Sequence, residues 1–156
     1  SIKTMLLDLR APLFCAAACV RPPLRAITVA GPLPAAELTA IRSSGGPIAD
    51  TYGELTDEGF RTIYHGVLQV ADRFVDLGSG RGQCVLQAVD EYNVASAVGV
   101  ELSPTRHADA LEALAAARSD VAHRVAFLCT DAAGEEAASA LQAATVVWVA
   151  NLCFDD

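Results

Sequence analysis

Three glycines at alternate positions, Gly78, Gly80 and Gly82, follow the run Phe74-Val75-Asp76-Leu77 and lead into a stretch of helical periodicity. An extended apolar segment that passes through a glycine turn into a helix is the opening of a parallel α/β unit. Its turn brings bare backbone and a helix N-terminus up to a ligand. The segments that follow keep the same rhythm. Strands are predicted at 73–77, 95–101, 125–130 and 145–150, with helices at 82–92, 104–118 and 134–143. Strands alternating with helices of this length imply a parallel sheet. The runs Val98-Gly99-Val100 and Val146-Val147-Trp148-Val149 are continuously apolar rather than alternating, which fits strands covered on both faces.

Upstream of the turn, Phe60, Ile63, Tyr64, Val67 and Leu68 recur at helical spacing and predict an amphipathic helix. Thr56 is placed to cap it, and Asp57 and Glu58 suit its positive end. Ser103 and Pro104 likewise mark the start of the helix at 104–118. The fold class is therefore α/β, a doubly wound parallel sheet. Four strands are predicted where such sheets usually hold about six, and the last would leave an unpaired edge. The sequence thus reads as a piece of a larger domain, truncated after the fourth strand.

Residues 1–49 have a different character. They are rich in alanine, proline and arginine, are broken by Pro22-Pro23, Pro32, Pro34 and the Ser43–Pro47 run, and carry a formal charge of +3. Weak order is expected there, with one short helix over 35–42. The composition is also that of a targeting peptide. Residues 50–156, the expected domain, carry −11 of the total −8, so they are not built to hold DNA phosphates. No stretch reaches the length of a membrane span. The five cysteines form no Cys-x-x-Cys pair and the three histidines are far apart, so no metal site is expected. Cys84, Cys129 and Cys153 sit among apolar neighbours, as core residues do.

The ligand of the turn follows from its chemistry. A dinucleotide fingerprint would need a third glycine at position 83, which is Gln83. Asp76, at the end of the first strand, would repel a pyrophosphate and attract an ammonium group. The second strand ends in Glu101, suited to two ribose hydroxyls, and the third is followed by Asp131, suited to an adenine amine. Three acids at successive strand ends describe a crevice for a positively charged nucleoside, S-adenosyl-L-methionine. The plainer readings are a turn-capping Asp76, a solvated Glu101 and a helix-capping Asp131.

Three segments together carry a resemblance: Thr51-Tyr52-Gly53-Glu54-Leu55, the run from Phe74 through Gln87, and Val146 through Phe154. With Val98-Gly99-Val100-Glu101 between them, they resemble the disruptor-of-telomeric-silencing family. These are non-SET histone-lysine methyltransferases with a class I, Rossmann-like fold that modify a lysine on the core of the H-three histone. The resemblance covers 50–156. It implies that Tyr52, Gly53, Glu54 and Leu55 close over the methionine end of S-adenosyl-L-methionine. Phe74, Val75, Asp76, Leu77, Gly78, Ser79, Gly80, Arg81, Gly82 and Gln83 would cradle that cofactor, Glu101 would hold its ribose, and Asp131 with Ala132 would read its adenine. Asn151 would position substrate and cofactor beside the lysine channel. The histone or nucleosome would be the partner and the nucleus the location, or an organelle if residues 1–49 are a transit peptide. Leu55, Ala132 and Ala150 depart from the family's usual hydroxyl, aromatic and Asn residues. No general base is legible, and the segment alone is expected to be inactive. A class I methyltransferase with another substrate, and a cofactor-binding module without transfer activity, stay open as alternatives.

Overall fold

A computed structural model describes residues 3–7, 27–28, 33–45 and 54–150. The sheet has five parallel strands in the order β1-β7-β4-β5-β6, with β1 at Lys3–Leu7, β4 at Arg73–Leu77, β5 at Ser96–Glu101, β6 at Val125–Cys129 and β7 at Val146–Ala150. A separate antiparallel pair joins β2 (Ile27–Thr28) to β3 (Glu54–Leu55). Helices α3 (Gln83–Tyr92) and α4 (Pro104–Ala116) carry the chain from β4 to β5 to β6 in one direction. Helix α6 (Glu135–Ala143) carries it back to β7 on the other side of β4. The winding therefore reverses at β4, and the crevice of a doubly wound sheet opens outside the strand ends at such a reversal. The doubly wound, Rossmann-like α/β class expected from the sequence is the class observed.

Both faces of the sheet are covered, as the continuous apolar runs require. One core joins Phe74, Ala97, Val146 and Trp148 to α3 and to α2 (Asp57–Tyr64). The other joins Val75, Val147 and Ala144 to Leu141 and Ala140 of α6. The first is strongly aromatic: Phe60 lies 4.3 Å from Tyr64 and 6.2 Å from Phe74, and Tyr64 lies 5.6 Å from Trp148 between ring centroids. A latch fixes α2 on α3. Arg61 donates to Glu91 at 2.8 and 2.5 Å, Gln83 to the Asp57 carboxylate at 2.5 Å, and Gln87 to the Asp57 carbonyl at 3.1 Å.

Five differences from the sequence reading are found. The sheet holds five strands, not four, and β7 is flanked by β1 and β4 rather than left as an edge. The apolar run Met5-Leu6-Leu7 supplies the added strand, within a segment whose overall composition hid it. Helix α1 runs from Ala35 to Gly45, longer than expected, and Glu37 docks on the start of α4. Helix α2 stops at Tyr64; Gly66 turns at φ 72°, so Val67 and Leu68 reach the core from a turn rather than a helix. The region after Ala116 breaks and resumes as α5 (Ser119–Ala122), and Cys129 is exposed because β6 is the outermost strand. Among the described residues no helix could cross a membrane, and no group of three or more ligating side chains could hold a metal.

Candidate functional site

The glycine turn sits at the carboxyl end of β4, and its amides face inward. Gly78 and Ser79 both donate to the Val100 carbonyl at 2.8 and 3.0 Å, and Gly82 donates to the Ser79 carbonyl at 2.9 Å. Gly80 donates to Glu101 Oε2 at 2.8 Å. A phosphate-binding turn aims such donors at its ligand. Here these four are spent on the fold, and what the turn presents is carboxylate.

Glu101 organises the centre of the crevice. The side chain is buried; Oε2 takes the Gly80 amide, Oε1 takes the Ser103 amide at 2.9 Å, and the Arg106 guanidinium lies 3.9 Å away. A carboxylate has about four lone-pair sites, so capacity remains for hydroxyl donors. Ser103 caps α4 through Arg106 N at 3.1 Å, and the Ser103 hydroxyl itself donates to Glu37. Glu37 also accepts from Thr105 N at 3.1 Å and from the Thr105 hydroxyl at 2.6 Å. Helix α1, from the segment expected to be weakly ordered, thereby braces the loop that carries Glu101.

Asp76 lies one strand over. It is 3% exposed, and no protein group donates to it among the described residues. Burial, and then the Glu101 charge, push its carboxyl up to about 8. Burial and a like charge thus both favour the neutral form of this carboxyl. Asp131 is exposed beyond β6, and its Oδ1 accepts from Ala133 at 2.9 Å, an Asx turn that leaves the other oxygen unbonded among the described residues. The turn's own cation is engaged elsewhere: Arg81 pairs with Asp109 at 3.2 Å.

The last glycine serves packing. Gly82 takes φ 81°, and a Cβ there would fall 2.3 Å from the Phe127 ring. Phe127 reaches across from β6 and covers Gly99 in the same way, at 2.5 Å. Gly82→Ala is therefore expected to destabilise the fold by about 2–4 kcal/mol, through a left-handed backbone and an overfilled contact. Thermal unfolding checks this, and an unchanged midpoint would contradict it.

The remaining expected site residues divide. Leu55, Phe74 and Val75 are buried in the cores and support the turn from below, and Leu77 packs on the α6 side. Gln83 spends its side-chain donor on Asp57, locking the turn to α2. Glu54 is half-buried in β3, and Ala132 is half-buried in the loop after β6. Tyr52, Gly53 and Asn151 lie outside the described residues. The sequence reading missed Leu102, an exposed large apolar side chain directly after Glu101. An apolar residue between a strand-ending acid and a helix cap was the signal available for it. Glu37 was not legible, since 66 residues separate it from Ser103.

The model of the histone methylation protein DOT1 family matches residues 43–156. The chain belongs to that family. No curated protein matches the sequence. Among solved structures it is similar to an RNA methyltransferase from Salinibacter ruber in complex with S-adenosyl-L-homocysteine, at 21% identity and a TM-score of 0.46, over 76% of this chain and 60% of that one. It is also similar to an S-adenosylmethionine-dependent methyltransferase from Thiobacillus denitrificans, at 29% identity and a TM-score of 0.44, over 50% of this chain and 31% of that one. A third, an S-adenosylmethionine-dependent methyltransferase from Geobacter sulfurreducens, shows 30% identity and a TM-score of 0.43 over 49% and 30%. The chain thus spans 60% or less of the length of these structures.

Proposed function

We propose that this chain forms the cofactor-binding part of an S-adenosyl-L-methionine-dependent histone-lysine N-methyltransferase acting on a core lysine of the H-three-type histone. The observation that carries the cofactor is the inward-turned glycine loop beside a buried carboxylate, Asp76, that accepts no hydrogen bond among the described residues. Membership of the DOT1 family supports the histone substrate. The net charge of −8 suits a basic protein partner and not direct DNA binding.

In this reading Asp76 takes the amine of the cofactor, Glu101 its ribose hydroxyls, and Asp131 with the Ala132 backbone its adenine. Leu102 offers an apolar surface to the base. Tyr52, Gly53, Glu54 and Leu55 close the methionine end, and Asn151 positions the substrate beside it. When bound, the cofactor supplies a methyl group on a positively charged sulfur. The chain's task is then orientation, holding the reacting groups nearly in line. No acid is required for a leaving group that departs neutral. The nucleus is the location that fits a histone substrate.

Calorimetry on the 156-residue chain is expected to show S-adenosyl-L-methionine binding and none for NAD. With the native protein, labelled methyl groups are expected on nucleosomal H-three-type histone. Transfer only to small molecules would replace the histone reading with another class I substrate, and binding without any transfer would leave a cofactor-binding module.

A further inference from the structure

Asp76 shares its face of the sheet with a second buried polar group that lacks a partner among the described residues. Tyr64, the last residue of α2, is 0% exposed, and its hydroxyl has no hydrogen bond among the described residues. A phenylalanine would fill the same space without leaving a donor unmatched, so the hydroxyl calls for a role.

The ring is held where that role can be served. Its centroid lies 5.6 Å from Phe74 and 5.6 Å from Trp148. Phe74 precedes Asp76 by two residues on β4 and shares its face. Trp148 is the register partner of Asp76 on β7. Tyr64 therefore packs on the two side chains that flank Asp76, one along the strand and one across the sheet, and the Asp76 charge is felt at the phenol.

We propose that Tyr64 is a positioning residue for Asp76, donating its hydroxyl to the carboxylate once a cationic ligand has ionised it and so fixing the carboxylate toward the ligand's amine. This rests on the assignment of Asp76 to the amine of S-adenosyl-L-methionine. The other titratable groups around Asp76 do not serve. Glu101 faces it from β5 with a like charge. Cys84 faces it from α3 as a buried thiol, held neutral by burial and by Asp76, Glu54 and Asp57, and a thiol donates weakly. The Tyr64 phenol is kept protonated by burial and then by Cys84 and Asp76, so it is a donor at every working pH.

Two measurements test the proposal with the conservative variant Tyr64→Phe. In the ligand-free chain, the carboxyl carbon of Asp76 is followed by NMR against pH. Tyr64→Phe is expected to move its midpoint upward by about one unit, the size of one lost hydrogen bond to the ionised form. An unmoved midpoint overturns the pairing, and a merely packed ring would give that result. In calorimetry with S-adenosyl-L-methionine, Tyr64→Phe is expected to weaken binding about tenfold in the native background and not at all in an Asp76→Asn background. Equal losses in both backgrounds overturn the proposal. A native chain that binds no S-adenosyl-L-methionine while the NMR midpoint still moves would reject the cofactor assignment and the role toward the amine, leaving only the Tyr64–Asp76 hydrogen bond.

Discussion

Asp76→Asn is expected to strengthen the fold near neutral pH while weakening S-adenosyl-L-methionine binding by roughly 100-fold, a charge-assisted contact being worth about 1.5–3 kcal/mol. The opposite signs follow from one cause. The carboxyl stands at about 8 in the folded chain against an ordinary 3.8, because burial and Glu101 disfavour its charge. Below 3.8 the folded and unfolded chains both hold the proton. Between 3.8 and about 8 only the folded chain holds it, so stability falls as pH rises across that window. Above it both are ionised and the cost is complete. The fall attributable to Asp76 is about 1.4 kcal/mol per pH unit. Denaturant unfolding from pH 5 to pH 8 should show that slope in the native chain and its loss in Asp76→Asn. Parallel curves for the two proteins would contradict the assignment.

Glu101→Ala is expected to cost both stability and binding. The native carboxylate satisfies the Gly80 and Ser103 amides and faces Arg106 in a buried setting. Removing it leaves two donors and a guanidinium without that partner, worth about 3–5 kcal/mol as for other broken buried pairs. It also loosens the glycine turn, because the Gly80 amide donates to the Glu101 carboxylate. Affinity for the cofactor should drop about 100-fold or more, through two lost ribose contacts and a loosened turn. Glu101→Gln keeps the volume and one acceptor oxygen, and should lose less of both. Chemical unfolding and calorimetry on the two variants check the order. Full affinity in Glu101→Ala would remove Glu101 from the site.

What the sequence disclosed and what it hid divide along physical lines. Strands β5 and β7 were readable because a buried parallel strand is continuously apolar, and the turn after β4 because it needs glycine, both local requirements. Thr56 and Ser103 were readable as caps because a cap acts within three residues, and both side chains accept from the expected amides. Glu101 was readable as an acid ending a strand, though its work on Gly80 and Ser103 was not, since the Gly80 contact depends on how two strands lie side by side. The same holds for Phe127 over Gly82 and Gly99, and for Glu37 on Ser103 and Thr105. Strand β1 was missed because five residues beside a proline- and alanine-rich stretch carry too little pattern to outweigh their surroundings. Asp131 shows the limit from the other side: its residue type fitted both a ligand contact and a turn, and the fold uses one oxygen for the turn.

The proton inventory of binding tests the central claim most directly. At pH 6.5 the ligand-free chain is expected to hold a proton on Asp76, whose carboxyl is pushed up to about 8. An incoming ammonium must displace it, so calorimetry of S-adenosyl-L-methionine binding in buffers of different ionisation enthalpy should show about one proton released per ligand. Asp76→Asn should release none. Binding by the native chain without proton release, or equal binding of NAD, would contradict the account.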